Sequence, residues 1–246
     1  MLNNSLRSNV DGVGNSRDKQ QDMEQYQAVS VDRAITELRR GRALTLVAHD
    51  NGTPQACLIT ALETAPPTLI DSLSAATATR PALIIAPERR AALGLAATGG
   101  AQSRPLALSP PPDITGSANG DWLNRVAFST DVPQVRHLLT TSSEPTSALQ
   151  ALLARLQTAA LALTKHARLL PAPLLFPWHE GYATAADTLS VSTAAIDAYP
   201  AAQAHTLIRV SETQVQLAGA QDTHFVLFRN GDGSAEHVAV VVAKPD

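Results

Sequence analysis

The chain has 246 residues, a formal net charge of −3 and only 4% aromatic residues. A chain of this length can form one large domain, or one domain with accessory segments. The charge excludes the basic surface typical of nucleic-acid binding, and the scarcity of aromatic rings argues against stacking on single-stranded bases. A small molecule or a protein is therefore the expected partner.

Cysteine content and hydropathy limit the kinds of metal site that the chain can hold and the cellular compartments in which it is expected. Cys57 is the only cysteine, which excludes an internal disulfide and a multi-cysteine zinc site, and fits a reducing compartment. The longest aliphatic run, Val238 to Ala243, is far shorter than the roughly 20 residues of a membrane-spanning helix. The N-terminal residues contain no apolar secretion signal. We therefore expect a cytoplasmic protein with no membrane partner.

The first part of the chain predicts an α+β arrangement. Residues 1–27 are polar and poor in large apolar side chains, so we expect a disordered leader. A helix, a hairpin with its turn at His49 to Pro54, a helix, a strand and a short helix should follow. Their predicted bounds are Ser30 to Gly41, Ala43 to Val47, Ala56 to Ala61, Pro67 to Thr77, Ala82 to Ala86 and Pro87 to Gly94. This order favours a mixed sheet with flanking helices over a regular βαβ series.

The second part of the chain begins with a stretch rich in Gly, Pro and Ser. Residues 99–121 are expected to form a long loop or tether. Leucines and alanines at helical spacing then predict a helix from about Thr146 to Leu170. An extended connection from Pro171 to Trp178 and a short helix around Ser192 to Ala198, which precedes Pro200, should follow.

The last ordered segment is expected to be a β-hairpin. Residues 223–242 read as a strand, a Gly-rich turn and a second strand. A two-stranded hairpin alone is at best marginally stable in water. It should therefore either complete the sheet of the preceding domain or open a further domain.

Histidine supplies the first candidates for chemistry. His49 and Asp50 share a predicted turn, where an imidazole and a carboxylate could perform acid–base or metal chemistry. Asp-Asn-Gly is also a common turn former, which favours a structural role. No pair of histidines has the spacing of a zinc-binding helix, so most are expected to lie on the surface. The seven are His49, His137, His166, His179, His205, His224 and His237.

Two further features invite a functional interpretation. Glu88, Arg89 and Arg90 open a predicted helix and could attract a phosphate, although such a run is more typical of a solvated helix face. Cys57 lies inside a predicted strand, which favours a buried, inert thiol over a nucleophile. The residues alone therefore predict a globular α+β domain without an evident active site.

Several segments resemble the riboflavin-pathway enzyme 3,4-dihydroxy-2-butanone 4-phosphate synthase. The sequence Val-Asp-Arg-Ala-Ile-Thr-Glu-Leu-Arg-Arg-Gly-Arg at 31–42 is similar to the opening helix of that family, and Ala-Pro-Glu-Arg-Arg-Ala-Ala-Leu-Gly-Leu at 86–95 to a later element. Phe176-Pro177 and Ser-Val-Ser-Thr-Ala-Ala-Ile-Asp at 190–197 match two more of its segments. The resemblance implies a synthase-like mixed sheet.

The departures from this family fall on its chemical positions. The synthases carry an acidic loop after the first strand that holds divalent metal, whereas residues 48–51 here are Ala-His-Asp-Asn. The metal-binding His of the family corresponds to Val191 and its Glu to Thr193. Valine can neither bind a metal nor move a proton. The resemblance therefore implies a degenerate synthase domain that has lost its magnesium site.

The C-terminal segment resembles a second riboflavin-pathway family. Residues 207–212 and 225–241, which include Asn-Gly-Asp-Gly and Glu-His-Val-Ala-Val-Val, are similar to the start of GTP cyclohydrolase II. Residues 161–173 resemble a segment of cyclohydrolases that carry a synthase-like N-terminal domain. That family opens the imidazole ring of GTP with a zinc ion held by three cysteines downstream of this hairpin. The zinc is expected only in that downstream domain.

The resemblance implies three regions: a leader at 1–27, a degenerate synthase-like domain at 28–205 and the start of a truncated cyclohydrolase domain at 206–246. No catalytic, cofactor-binding or metal-binding residue carries over to this chain. The leading interpretation is a GTP cyclohydrolase II-type protein of riboflavin biosynthesis that is truncated before its zinc and GTP site and inactive alone. One alternative is a non-catalytic oligomerisation or regulatory module, as a homodimer or with a full-length riboflavin enzyme. The other is a residual synthase that uses His49, Asp50 and magnesium.

Overall fold

The structure, a computed structural model, describes most of the chain from Gln27 onward. The described residues are 27–50, 53–95, 104–114, 117–139, 150–177, 188–231, 233 and 235–242. They fall into two compact units, Val29–Asp197 and a smaller one that contains the residues from Ala198 onward. The predicted leader lies outside the described residues except for Gln27, which is helical. The domain boundary after residue 205 stays a prediction.

The larger unit is built on a six-stranded mixed sheet. The strand order is β4-β3-β5-β2-β1-β6, and every pairing is antiparallel except that of β1 with β6. The predicted α+β fold with a mixed sheet and flanking helices is therefore confirmed. The elements are α1 (27–39), β1 (Leu44–Asp50), β2 (Thr53–Ala61), α2 (Pro67–Thr77), β3 (Ala82–Ile85), α3 (Pro87–Ala92), β4 (Leu106–Leu108), α4 (Ser117–Phe128), α5 (Val132–Leu139), α6 (Gln150–His166), β5 (Pro173–Pro177) and β6 (Ser190–Ser192).

Helices cover both faces of this sheet. On one face, alternate residues of the central strands pack with buried side chains of α2, α4 and α5, and Phe176 and Trp122 are the largest members of this cluster. Helix α6 contributes no residue to the cluster although it contacts β1, β2, β3 and β5, so it covers the opposite face. Its buried residues include Leu156 and Leu163. The core is aliphatic, as the low aromatic content requires.

Several helix boundaries follow from the sequence signals. Helix α2 has the predicted bounds, and α3 begins with Pro87 at a first helical position. Gly41 and Gly94 follow α1 and α3 with φ angles of +71° and +65°, the left-handed conformation that favours glycine at the end of a helix. The predicted start of α1 at Ser30 is wrong, because residues 27–30 are already helical.

The extended connection predicted after Pro171 is in fact the central strand β5. It pairs with β2 on one side and with β3 on the other, and Leu174, Leu175 and Phe176 are buried. Prolines at both ends of the segment suggested a connection. Proline is tolerated at strand ends, and the three large apolar residues between the prolines are the part that forms the buried strand.

The tether predicted at 99–121 is also partly wrong. Leu106–Leu108 form the edge strand β4, and α4 begins at Ser117. The proline run after β4 is held by Arg80, whose guanidinium donates hydrogen bonds to the carbonyl oxygens of Pro111 (2.6 Å), Pro112 (2.6 Å) and Ile114 (2.9 Å). Residues 99–103, 115 and 116 lie outside the described residues.

The smaller unit contains a three-stranded antiparallel sheet. Helix α7 (Thr193–His205) leads into β7 (Ile208–Gln214), β8 (Thr223–Arg229) and β9 (Glu236–Val242), in the order β7-β8-β9. The terminal hairpin is therefore confirmed, and β7 adds a third strand. The prediction that the helix ends before Pro200 is wrong, because Pro200 lies inside α7.

We predict that Gly41→Ala destabilises the protein. A Cβ atom at position 41 would lie 2.3 Å from the carbonyl oxygen of Thr64, and alanine disfavours a φ of +71°. We expect the free energy of unfolding to fall by about 2 kcal/mol or more. Chemical denaturation measures the change, and Gly120→Ala serves as the control. Gly120 lies in α4 with open space around it, so alanine there should raise stability by up to about 1 kcal/mol. Equal stability of the two variants would contradict this account.

Candidate functional site

The candidate site lies where β1 and β6 run side by side and α7 begins. The parallel register pairs Leu46 with Val191 and Val47 with Ser192, so β6 lies beside the first half of β1 and ends opposite its midpoint. The hydroxyl of Ser192 accepts a hydrogen bond from the backbone N–H of Ala195 (3.1 Å), which caps the first turn of α7. The local sequence thus forms a strand, a cap and a helix within a few residues.

Val191 and Thr193, the two positions where the resemblance places the family's His and Glu, are both buried. Val191 is 2% exposed and Thr193 3% exposed. The isopropyl group of Val191 has no atom that could bind a metal, and neither side chain can take up or release a proton near neutral pH. In the described residues, no three His, Cys, Asp or Glu side chains are grouped so that they could hold a metal ion. Val191 therefore cannot supply a ligand to a divalent metal.

The hairpin of His49 and Asp50 differs from the predicted six-residue turn. The β1–β2 ladder continues through His49–Pro54 and Asp50–Thr53, so both residues belong to the end of β1. His49 is exposed, and its backbone carbonyl accepts a hydrogen bond from Arg155 of α6 at 3.3 Å. The side chain of Asp50 lies outside the described residues, as do Asn51 and Gly52.

The remaining histidines are dispersed. His224 is the one placed among acidic groups: its Nδ1 lies 2.9 Å from Glu212 and its Nε2 lies 3.2 Å from Asp222, which ties β7 to β8. Burial lowers the pKa of His166, which favours the neutral imidazole there. The others are exposed on separate elements, apart from His179, which lies outside the described residues. They are His137 in α5, His205 in α7 and His237 in β9.

Arg89 and Arg90 do not form the solvated helix face that the sequence predicted. Arg89 donates hydrogen bonds to the carbonyl oxygens of Val126 (2.9 Å) and Ser129 (2.7 Å) at the end of α4. Desolvation lowers the pKa of its guanidinium. Arg90 is buried. Arg89 therefore joins α3 to the end of α4, and the prediction of a solvated helix face was wrong for the two arginines, whereas phosphate binding by this run stays a prediction.

A cleft of about 690 Å³ lies along α1, and the sequence analysis did not identify it. Glu37 forms ion pairs there with Arg42 (2.9 Å) and Arg40 (3.1 Å), and the hydrogen bond from Arg42 is the main cause of the lowered pKa of Glu37. Charged residues at helical spacing in α1 were the only feature of the sequence that could have indicated this cleft. The lining residues are Val29, Asp32, Arg33, Thr36, Glu37, Arg40, Arg42, Thr188 and Leu189. Its charges of both signs do not select one class of ligand.

Comparison with known proteins agrees with this architecture. The chain is 31% identical over 222 residues to GTP cyclohydrolase-2 from Azospirillum brasilense, a match that covers 88% of this chain and 54% of that protein. The predicted resemblance to GTP cyclohydrolase II is confirmed. The chain spans about half the length of this cyclohydrolase relative. No family model matches the chain.

Solved structures show the fold. RibBX, a two-domain 3,4-dihydroxy-2-butanone 4-phosphate synthase from A. baumannii, superposes with a TM-score of 0.50 at 16% identity, over 87% of this chain and 70% of that one. The synthase of Candida albicans gives 0.46 at 13% identity, over 69% and 96% of the two chains. The match to RibBX shows that this chain has the predicted synthase-like fold. No helix in the described part of the chain is long and apolar enough to cross a membrane.

We predict that Arg89→Ala destabilises the protein much more than Arg40→Ala. The first change removes the donor to two carbonyl groups at the end of α4, which should cost about 2–3 kcal/mol. The second removes an ion pair whose arginine side chain is 61% exposed to water, and should have little effect on stability. Urea denaturation of both variants measures the difference. A loss of under half a kilocalorie for Arg89→Ala would contradict the role of this side chain in helix packing.

We predict that Cys57 does not react in the folded protein. The thiol is buried, and burial raises its pKa to about 12. At pH 8 only about one molecule in ten thousand then carries the reactive thiolate. A chromogenic disulfide reagent should label no thiol in native buffer and one per chain in urea. Fast labelling of the native protein would show that the thiol is accessible.

Proposed function

We propose that this chain is part of a GTP cyclohydrolase II-type protein of riboflavin biosynthesis and carries no complete active site by itself. In this proposal residues 28–205 form a synthase-fold domain without synthase chemistry, and residues 206–246 form the start of a cyclohydrolase domain. The similarity to GTP cyclohydrolase-2 supports the pathway and the family. A cytoplasmic location belongs to the same proposal.

The main observation against synthase activity is the burial of Val191 and Thr193. A lyase that acts on a sugar phosphate needs groups that move protons and hold a divalent metal. At the positions where these groups are expected, the chain places two side chains that pack in the core. A charged group at either position would be buried at a large cost in desolvation. We infer that these positions now serve the stability of the fold.

The main observation against cyclohydrolase activity is the cysteine content of the chain. The family holds its zinc with three cysteines, and the chain contains only Cys57. That thiol is buried in β2 and its raised pKa opposes the thiolate form that zinc requires. We therefore propose that neither magnesium nor zinc is held as a catalytic ion here.

A second candidate function is a non-catalytic module that binds another polypeptide, either a second copy or a full-length riboflavin enzyme. Most of the large apolar side chains that are exposed in the described residues belong to the smaller unit. Exposed apolar groups gathered in this way mark interaction surfaces more often than small-molecule sites.

We predict that the purified chain is inactive in both pathway assays. With ribulose 5-phosphate and Mg²⁺ it should release no formate, and with GTP and Zn²⁺ neither formate nor pyrophosphate. An authentic synthase and an authentic cyclohydrolase are the positive controls. Formate release from ribulose 5-phosphate that disappears in His49→Ala would instead establish the residual synthase. Formate and pyrophosphate release from GTP would refute the proposal for the cyclohydrolase half.

Ligand binding provides a second measurement. A residual synthase site should raise the melting temperature when ribulose 5-phosphate and Mg²⁺ are added together, because a ligand that binds only the native state stabilises it. We expect no shift. A shift that persists in His49→Ala would mean that the chain binds the substrate through other residues.

A further inference from the structure

We draw no further inference here: the strongest candidate, the cleft of about 690 Å³ along α1, is lined by Arg33 together with Glu37 and the two arginines that pair with it, and these charges of both signs indicate no single class of ligand.

Discussion

Hydrogen bonds from arginine side chains to backbone carbonyl groups join helices and loops of the larger unit to one another. Arg39 of α1 binds the carbonyl of Ala167 beyond the end of α6 at 2.8 Å, and Arg136 of α5 binds that of Leu93 at 2.6 Å. Arg89 and Arg80 do the same for the end of α4 and for the proline run. Helix ends and proline segments leave carbonyl groups without intrinsic partners, and a guanidinium can satisfy several of them. The guanidinium donors that make these bonds are therefore committed to the backbone.

The aliphatic core explains why such contacts matter in this chain. Because aromatic side chains are few, the helices pack on the sheet mainly through aliphatic side chains. These contacts fit closely, but they do not impose a specific orientation as a hydrogen bond does. The arginine contacts add direction, because each connects two elements that are far apart in the sequence. Helices α3, α4 and α5 form a set in which Arg89 joins the first to the second and Arg136 joins the third to the first. The position of each helix therefore depends on the others.

The sequence predicted those features that depend on local chemistry. Helix α2, the proline at the start of α3 and the glycines after α1 and α3 were predicted correctly, because their signals lie within a few residues. The central position of β5 was missed, since it is decided by β2 and β3, which precede it by about 90 to 120 residues in the chain. Helices α4 and α5 were not predicted, and Arg89 was assigned to the surface because its carbonyl partners lie 37 and 40 residues away.

The candidate site depended on resemblance more than on pattern. Nothing in the local sequence marks Val191 or Thr193 as unusual, because a valine in a strand and a threonine at a helix start are ordinary. Only comparison with a family gives these positions meaning, and the structure adds that both are buried beside β1. The cleft along α1 was overlooked for a related reason: a helix face with alternating charges is most often solvated, and Thr188 and Leu189 are distant in sequence.

The two units also differ in how far their strands are buried. In the larger unit the sheet is covered by helices on both faces, whereas every residue of β7 and all but one of β9 are exposed. A sheet of three strands acquires independent stability mainly from an apolar face that is buried. If a partner supplies that burial, its binding free energy adds to the stability of this unit in a concentration-dependent way. Strands β7 and β9 then gain stability from that partner, whereas the described sheet of the larger unit is already covered by its own helices.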